Sequence, residues 1–489
     1  MAHPDWVLKH KVKNSEIRCI NGRYYLYAIT AKWDPSKKRT KKVTLAMLGT
    51  IKEKEGFIPK GQSKKGRPAK ESLTKNISIK EFGATHFLQH LGVDIIKELQ
   101  KCFPTQWQSL LVLAINRLIY QAPLKNNDFL LEESFLSEQL REAKLDKNAC
   151  TQLLQEVGSN REKIVELLRR FIQGAEHIVF DASHITSQSE KMKMAQKGYN
   201  NAREYDPQVN LFYMFSVDKQ EPTYYRLFPG NIAGVSALQN CLEETQINNC
   251  IAIGDKGFCS EHNIDLLEKA KISYILPLKR NSQLIDYTRL EKKLYQEAFD
   301  GHFMHQERPI FYTCLAEKEE RQVIIFTDKS LALEEERTYL RQISNNKEGY
   351  TLEGYKEKQI SFGTIAMITN CKDKTPSKIY QGYKTRMEVE TVFDTYKNLL
   401  EADRTYMQSD RSMEGWTFIN HLATMLYYRV FNLLKRNDLL KSTSVQDLLL
   451  RLSRINKIKI NNSWVVGEIN SKTAKLMHKL NININIPIT

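Results

Sequence analysis

The stretch from His177 to Leu278 most narrows what this chain can fold into, because its apolar residues come in short runs rather than long ones. HIVFDAS (177–183), VNLFYMFSV (209–217), TYYRLFPG (223–230), CIAIGDKGF (250–258) and ISYILPL (272–278) are rich in Val, Ile, Phe and Tyr. Runs of this kind, bounded by Asn, Gly, Pro and Asp, read as strands. Helical spacing recurs between them, at Ala233–Glu244 and near 261–270. The order β-β-β-α-β-α-β predicts an α/β fold with a ribonuclease H-like mixed sheet. The first and fourth runs are expected to end in an acid, Asp181 and Asp255. Asp is common at strand ends, where its side chain caps the following turn, so neither residue alone marks a site.

A further carboxylate comes from the run YKTRMEVETVFDTYK (383–397). On one helix at 100° per residue, with Glu390 at zero, Tyr383 falls at ~20°, Arg386 at ~−40° and Lys397 at ~−20°. Asp394 shares that face. Val389, Val392, Phe393, Tyr396, Leu399 and Leu400 form a separate apolar stripe that should meet a core. A carboxylate flanked by two cations and a phenol suits a phosphate and a metal ion. The same face also reads as an ordinary solvated one, since Arg386 and Glu390 are four residues apart, a common ion-pair spacing.

The spacing Tyr383-x2-Arg386-x3-Glu390-x6-Lys397 resembles the Y-R-E-K signature of bacterial insertion-sequence transposases of the DDE type. Asp255-x-Gly257-Phe258, the run to Pro277-Leu278-Lys279-Arg280, and Pro229-Gly230-Asn231 are similar to further segments of those enzymes. The resemblance covers roughly 175–280 and 363–430. It implies that Asp181, Asp255 and Glu390 are catalytic and hold two Mg²⁺ or Mn²⁺ ions. It also implies that Tyr383, Arg386 and Lys397 contact DNA phosphates. Chemistry agrees: two divalent cations can steady both oxygens of a phosphodiester displacement, and hard cations take carboxylate ligands. Glu390 is preferred to Asp394 because only Glu390 completes the spacing. His184 reads as a surface-loop residue rather than a ligand, histidine being a poor first choice for Mg²⁺.

About 80 residues separate the 272–278 strand from the Glu390 helix, more than an ordinary loop. Strands at Pro309–Cys314 and Val323–Thr327, a helix near 331–343 and a last strand at 363–370 are expected there. The resemblance implies a β-rich insertion, which in related transposases helps to hold a DNA hairpin and stacks a flipped base on tryptophan. The five tryptophans here are Trp6, Trp33, Trp107, Trp416 and Trp464, all outside it. Tyr312 or Tyr339 could stack instead.

Charge separates the N-terminus from the rest. Residues 1–75 hold 19 Lys/Arg against 6 Asp/Glu, whereas the other 414 carry 54 against 51. That placement suggests a polyanion-binding module joined to a nearly neutral body. EIRCINGRYYLYAI (16–29) alternates around an Asn-Gly turn, and a second strand follows at Val43–Met47, so a small sheet with a basic edge is expected. Lys64-Lys65-Gly66-Arg67-Pro68-Ala69-Lys70 is similar to an AT-hook and reads equally as a flexible basic linker.

The expected organisation is a basic β-rich DNA-binding module (1–75), a helical domain (76–174), a first core part (175–280), the insertion (281–362), a second core part (363–400) and a helical C-terminal region (401–489). Helices are expected at Ile79–Leu91, Trp107–Tyr120, Ala149–Val157, Arg161–Phe171, Trp416–Leu434 and Ser444–Leu452, and a frayed or edge strand at NININIPIT. No run of about 18 apolar residues suggests a membrane span, no signal peptide opens the chain, and eight scattered cysteines read as reduced thiols. The implied protein is a cytoplasmic, nucleoid-associated DNA transposase. It would act on double-stranded DNA, at terminal inverted repeats and a target, as a homodimer in the synaptic complex. The alternatives are a degenerate transposase that only binds DNA, and a ribonuclease H-like nuclease without strand transfer.

Overall fold

A computed structural model describes residues 3–34, 39–60, 77–198, 206–232, 237–292, 294–316, 320–460 and 462–484. The chain forms two compact units, one of Met1–Ile77 with Ile460–Asn462 and one of the remainder.

The first unit is a four-stranded antiparallel sheet in sequential order: β1 (Ser15–Ile20), β2 (Arg23–Asp34), β3 (Arg39–Lys52) and β4 (Gly56–Pro59). Asn21-Gly22 makes the β1–β2 turn with both residues at positive φ, as two-residue hairpins require. The core is small: Val7, Ile17, Leu26 and Ile51, backed by Trp6, Tyr24, Leu48 and Phe57.

The second unit is mixed α/β. Its main sheet has eleven strands among the described residues, with the ribonuclease H-like half formed by β6 (His177–Ser187), β8 (Pro207–Ser216), β9 (Glu221–Pro229), β10 (Ile251–Ile253) and β11 (Ser273–Pro277). Two-residue strands β7 (Gln196–Lys197) and β16 (Arg404–Thr405) pair with β8 and β6. β6, β10 and β11 run parallel, and β6 pairs antiparallel with β8. β8 is almost continuously buried, the pattern of a strand covered on both faces. The helix Asp410–Arg436 packs on it through His421 against Tyr213 and Tyr428 against Phe215, and buries Phe418, Ile419, Leu422 and Leu426.

Several expectations need correction. β6 does not end at Asp181. It continues to Ser187 because β8 pairs with it from Ile178 to Thr186, so Asp181 is mid-strand, opposite Tyr213, and His184 lies on the strand rather than in a loop. The β-rich insertion continues the core sheet. Its strands β12 (Gly301–His305), β13 (Arg308–Ala316) and β14 (Gln322–Asp328) join β15 (Thr364–Thr369), which pairs with β11, so one sheet runs through. Helices between Gly83 and Ile172, expected as a region of their own, share one hydrophobic core with this sheet. Ile79 opens no helix but sits in β5 (Ser78–Glu81), which pairs with β17 (Asn456–Ile460) and through it β18 (Ser463–Val466) in a three-stranded sheet. That hairpin was expected to be helical. Residues 481–484 form no strand, and 485–489 lie outside the described residues. None of the eight cysteines forms a disulfide among the described residues, and no helix among them is long and apolar enough to cross a membrane.

Candidate active site

Two strands bring the first two acids level. In the parallel β6–β10 pair, Ile253 lies beside Val179, so two residues further along each strand Asp255 arrives at the height of Asp181. Gly254 allows the approach, because a Cβ there would meet the Phe180 ring at 2.8 Å and Leu276 at 3.1 Å. Asp255 then opens a single 3₁₀ turn, Lys256–Phe258. The buried Phe258 anchors that turn edge-on against Phe180 and Phe212, with centroids at 5.0 and 5.9 Å.

Glu390 arrives on the helix Met387–Asp394, which buries Val389, Val392 and Phe393 and leaves Glu390 exposed. Phe393 and Tyr396 pack edge-on against Tyr213, the cross-strand neighbour of Asp181, at 6.0 and 6.3 Å. The helix is thus docked over the strand pair that carries the first acid.

The single helix expected over 383–397 is broken. One helix ends at Lys384, the next starts at Met387, and a π-helical turn occupies Thr395–Leu399. At the break the backbone tightens to three-residue bonds: the N–H groups of Arg386 and Val389 donate to the carbonyls of Tyr383 and Arg386, and the Thr385 hydroxyl donates to Gly382 at 2.6 Å. A threonine hydroxyl that takes a local carbonyl competes with the helix ladder. Tyr383 therefore comes from the preceding helix, with its ring centroid 6.0 Å from the Arg386 guanidinium carbon.

Arg386 is where the acids meet. Its Nη2 lies 2.6 Å from Glu390, and its Nη1 lies 3.6 Å from Asp181 and 4.0 Å from Asp255. Three carboxylates face one guanidinium, which leaves an excess of negative charge around it. Burial pushes the Asp181 carboxyl up to about 6, and the neighbouring Asp255 and Glu390 add to the rise. The Ala182 N–H, 2.7 Å away, and Arg386 oppose it. Burial likewise raises Tyr383, which keeps its phenol protonated, and lowers the half-buried Lys397 ammonium. Hard oxygen donors with surplus charge are the donor set a divalent cation takes, so these residues fit one. Asp394 is not part of the group: it is exposed and its Oδ1 accepts from the Asn398 amide at 2.5 Å. His184 is lowered by burial and by Lys397.

Another acid–histidine group, Glu176, His177 and Asp218, lies at the start of β6. Asp218 there accepts from the N–H groups of Glu176 and His177 at 2.8 and 2.7 Å and meets the His177 ring at 3.0 Å. Its oxygens already clasp the strand end. Tyr339 is buried, ringed by Tyr350, Tyr355 and Phe362, and Tyr312 packs beside Phe303. Lys64, Lys65 and Arg67 lie outside the described residues.

Sequence reasoning missed the support behind the site. Tyr213 shares a 2.6 Å hydrogen bond with His421, which is fully buried, and burial pushes that imidazole down to about 3, so it is neutral. Glu414, seven residues earlier on the same helix, accepts from Tyr225 and Arg161 at 2.8 Å each. Polar residues two turns apart on an otherwise apolar helix were the available signal.

Among solved structures, the chain is similar to the piggyBac transposase synaptic complex with hairpin DNA, at 12% identity and a TM-score of 0.38, over 70% of this chain and 68% of that one. It is also similar to the Mos1 transposase paired-end complex with left transposon end, at 16% identity and a TM-score of 0.15, over 32% of this chain and 58% of that one. No curated protein sequence matches. The family described as Transposase DDE domain matches residues 172–426, which spans Asp181, Asp255, Arg386 and Glu390 and exceeds half of the 489 residues, and the chain belongs to that family.

Proposed function

We propose that this transposase binds the terminal inverted repeats of its own element, an insertion sequence, cleaves the DNA ends by metal-dependent phosphodiester hydrolysis and joins the 3′ ends to target DNA. The observation that carries this reading is the convergence of Asp181, Asp255 and Glu390 on Arg386. These three carboxylates would hold two Mg²⁺ or Mn²⁺ ions, which supply Lewis-acid stabilisation of the attacking and leaving oxygens. Arg386 presents a planar fork that matches two phosphate oxygens. Tyr383, held protonated, donates a hydrogen bond to a phosphate. Lys397 is poorly solvated where it stands, and an arriving phosphate would restore what burial withholds. Synapsis by a homodimer and action in the cytoplasm, at the nucleoid, belong to the same reading.

The test is cleavage of DNA carrying the flanking terminal sequences by wild type, Asp255→Ala and Glu390→Gln, in Mg²⁺ and in EDTA. Wild-type cleavage with metal alone is expected, with a loss of at least about 10³-fold, or ~4 kcal/mol, in either variant. Cleavage that survives both substitutions means the acids are wrongly chosen. Equal binding of the ends by all three proteins, with no cleavage by any, means a DNA-binding protein.

A further inference from the structure

The N-terminal unit lies outside the family match, and its longest strands outrun its core. β1 pairs with β2 only as far as Ala28, and β4 pairs with β3 only from Gly49 to Lys52. Beyond these limits the only strand ladder is Ile29–Asp34 with Arg39–Thr44. Its base is tied to β1 and the turn before it, where the Ile29 N–H donates to the Asn14 carbonyl at 2.9 Å and Arg18 donates to Thr44 at 2.6 Å, and the two strands project past that point. About six residues at 3.3 Å each make a ribbon roughly 20 Å long. A two-stranded ribbon without a packed face is marginal by itself.

Its side chains are unusual for a free-standing hairpin. Lys32 and Lys41 are directly opposed across the strands, and both are exposed. Like charges in that position repel and weaken the pairing. On the other face Trp33 is 59% exposed, with Ala31 and Lys42 beside it. Leu45, at the irregularity between Ala28 and Ile29, is 65% exposed. Arg39, opposite Asp34 in the ladder, adds a further exposed cation. An anionic partner would remove the repulsion and cover Trp33 together.

We infer that this ribbon is a duplex-DNA-binding element that enters a groove, with Lys32, Arg39 and Lys41 on the phosphates and Trp33 against the groove wall. The major groove, about 12 Å wide, admits a two-stranded ribbon, and the phosphate rails supply the complementary charge. The inference deepens the transposase reading, on which it rests for its DNA.

The test uses the full chain and two fluorescent duplexes of about 30 base pairs, one of random sequence and one from the flanking terminal DNA. Affinity is measured against KCl concentration for wild type, Lys32→Gln/Lys41→Gln, Trp33→Ala, and a control at the exposed end of the long helix, Lys435→Gln/Arg436→Gln. Loss of two phosphate contacts should make the salt slope shallower by about 1.8. The affinity should fall roughly 60-fold at 0.1 M salt, with the control unchanged and the thermal midpoints of all four within error. A lysine variant with the wild-type slope overturns the inference. So does a lysine variant that self-associates in sedimentation at unchanged DNA affinity, because the lysines would then only guard an open strand edge. Cleavage is read in parallel. A chain that binds through the ribbon but never cuts fails as a transposase while the ribbon stands; one that cuts with an unaltered slope loses the ribbon alone.

Discussion

Arg161 and Arg386 each gather carboxylates from distant parts of the chain, and the two clusters differ in how completely the charges are met. Arg161 bonds Glu244 at 2.7 Å, Glu414 at 2.8 Å and the Tyr225 carbonyl at 2.7 Å. Arg226 pairs with Glu244 too, and the hydroxyls of Tyr224 and Tyr225 donate to Glu244 and Glu414 at 2.6 and 2.8 Å. Two carboxylates meet two guanidiniums, and short bonds fill the acceptors. Around Arg386, three carboxylates meet one guanidinium, and only the Glu390 contact is short. The first cluster is complete and holds elements together. The second is short of positive charge and open at Glu390. On the proposed reading, surplus charge and loose geometry, rather than burial or ion pairing as such, would mark the site that takes an external cation.

The largest effect should come from breaking the complete cluster. Arg161→Leu leaves Glu414 buried without its cation. Removing one partner of a buried pair typically costs about 3–5 kcal/mol. A urea titration should show that loss in the second unit. A loss below about 1 kcal/mol would mean that the two clusters are energetically alike.

A carboxylate with no cation at all extends the comparison. Glu81 caps the helix Gly83–Leu91, accepting from the Ala84 and Thr85 N–H groups at 2.8 and 3.4 Å, while its other oxygen is buried with no hydrogen-bond partner. Burial pushes its carboxyl up to about 7. Because the folded value exceeds the unfolded one, the unfolded chain ionises first as pH rises. Stability should therefore fall between about pH 4.5 and 7, by up to about 3 kcal/mol, and level off above. Glu81→Gln should flatten this slope in denaturant midpoints measured across that window. An unchanged slope would assign it elsewhere.

The smallest effect sharpens the open cluster. If Arg386 stands as the resident counter-charge, Arg386→Gln should bind Mn²⁺ more tightly without DNA, by roughly tenfold or ~1.4 kcal/mol. Electron paramagnetic resonance of free Mn²⁺ measures this without any turnover. Equal affinity in the two proteins would show that the guanidinium does not compete for the carboxylates.

Much of this was legible before the fold was known. The short runs beginning at His177, Val209, Thr223, Cys250 and Ile272 became β6, β8, β9, β10 and β11, because strand length and β-branched content are local properties. Val389, Val392 and Phe393 were legible as a buried stripe and are buried. The length of β6 was not legible, since the polar residues after Asp181 are held in the strand only by β8. Nor was the break at Thr385, where a hydroxyl takes the Gly382 carbonyl. The joining of β14 to β15 was equally hidden, because one edge of a sheet accepts any strand with a free ladder.

By itself the sequence determined which segments are strands and helices, which faces are apolar, and where the basic charge is concentrated, because each follows from neighbours a few residues apart. Only the tertiary structure decided that Asp181, Asp255 and Glu390 meet at Arg386. That meeting depends on a parallel register between strands some 70 residues apart and on a helix docked from 135 residues beyond Asp255. Closing chain segments of such lengths differs by only about a kcal/mol in entropy. Sequence separation therefore carries almost no information about which acids come together, and side-chain packing across β6, β8 and the helix Met387–Asp394 makes the choice.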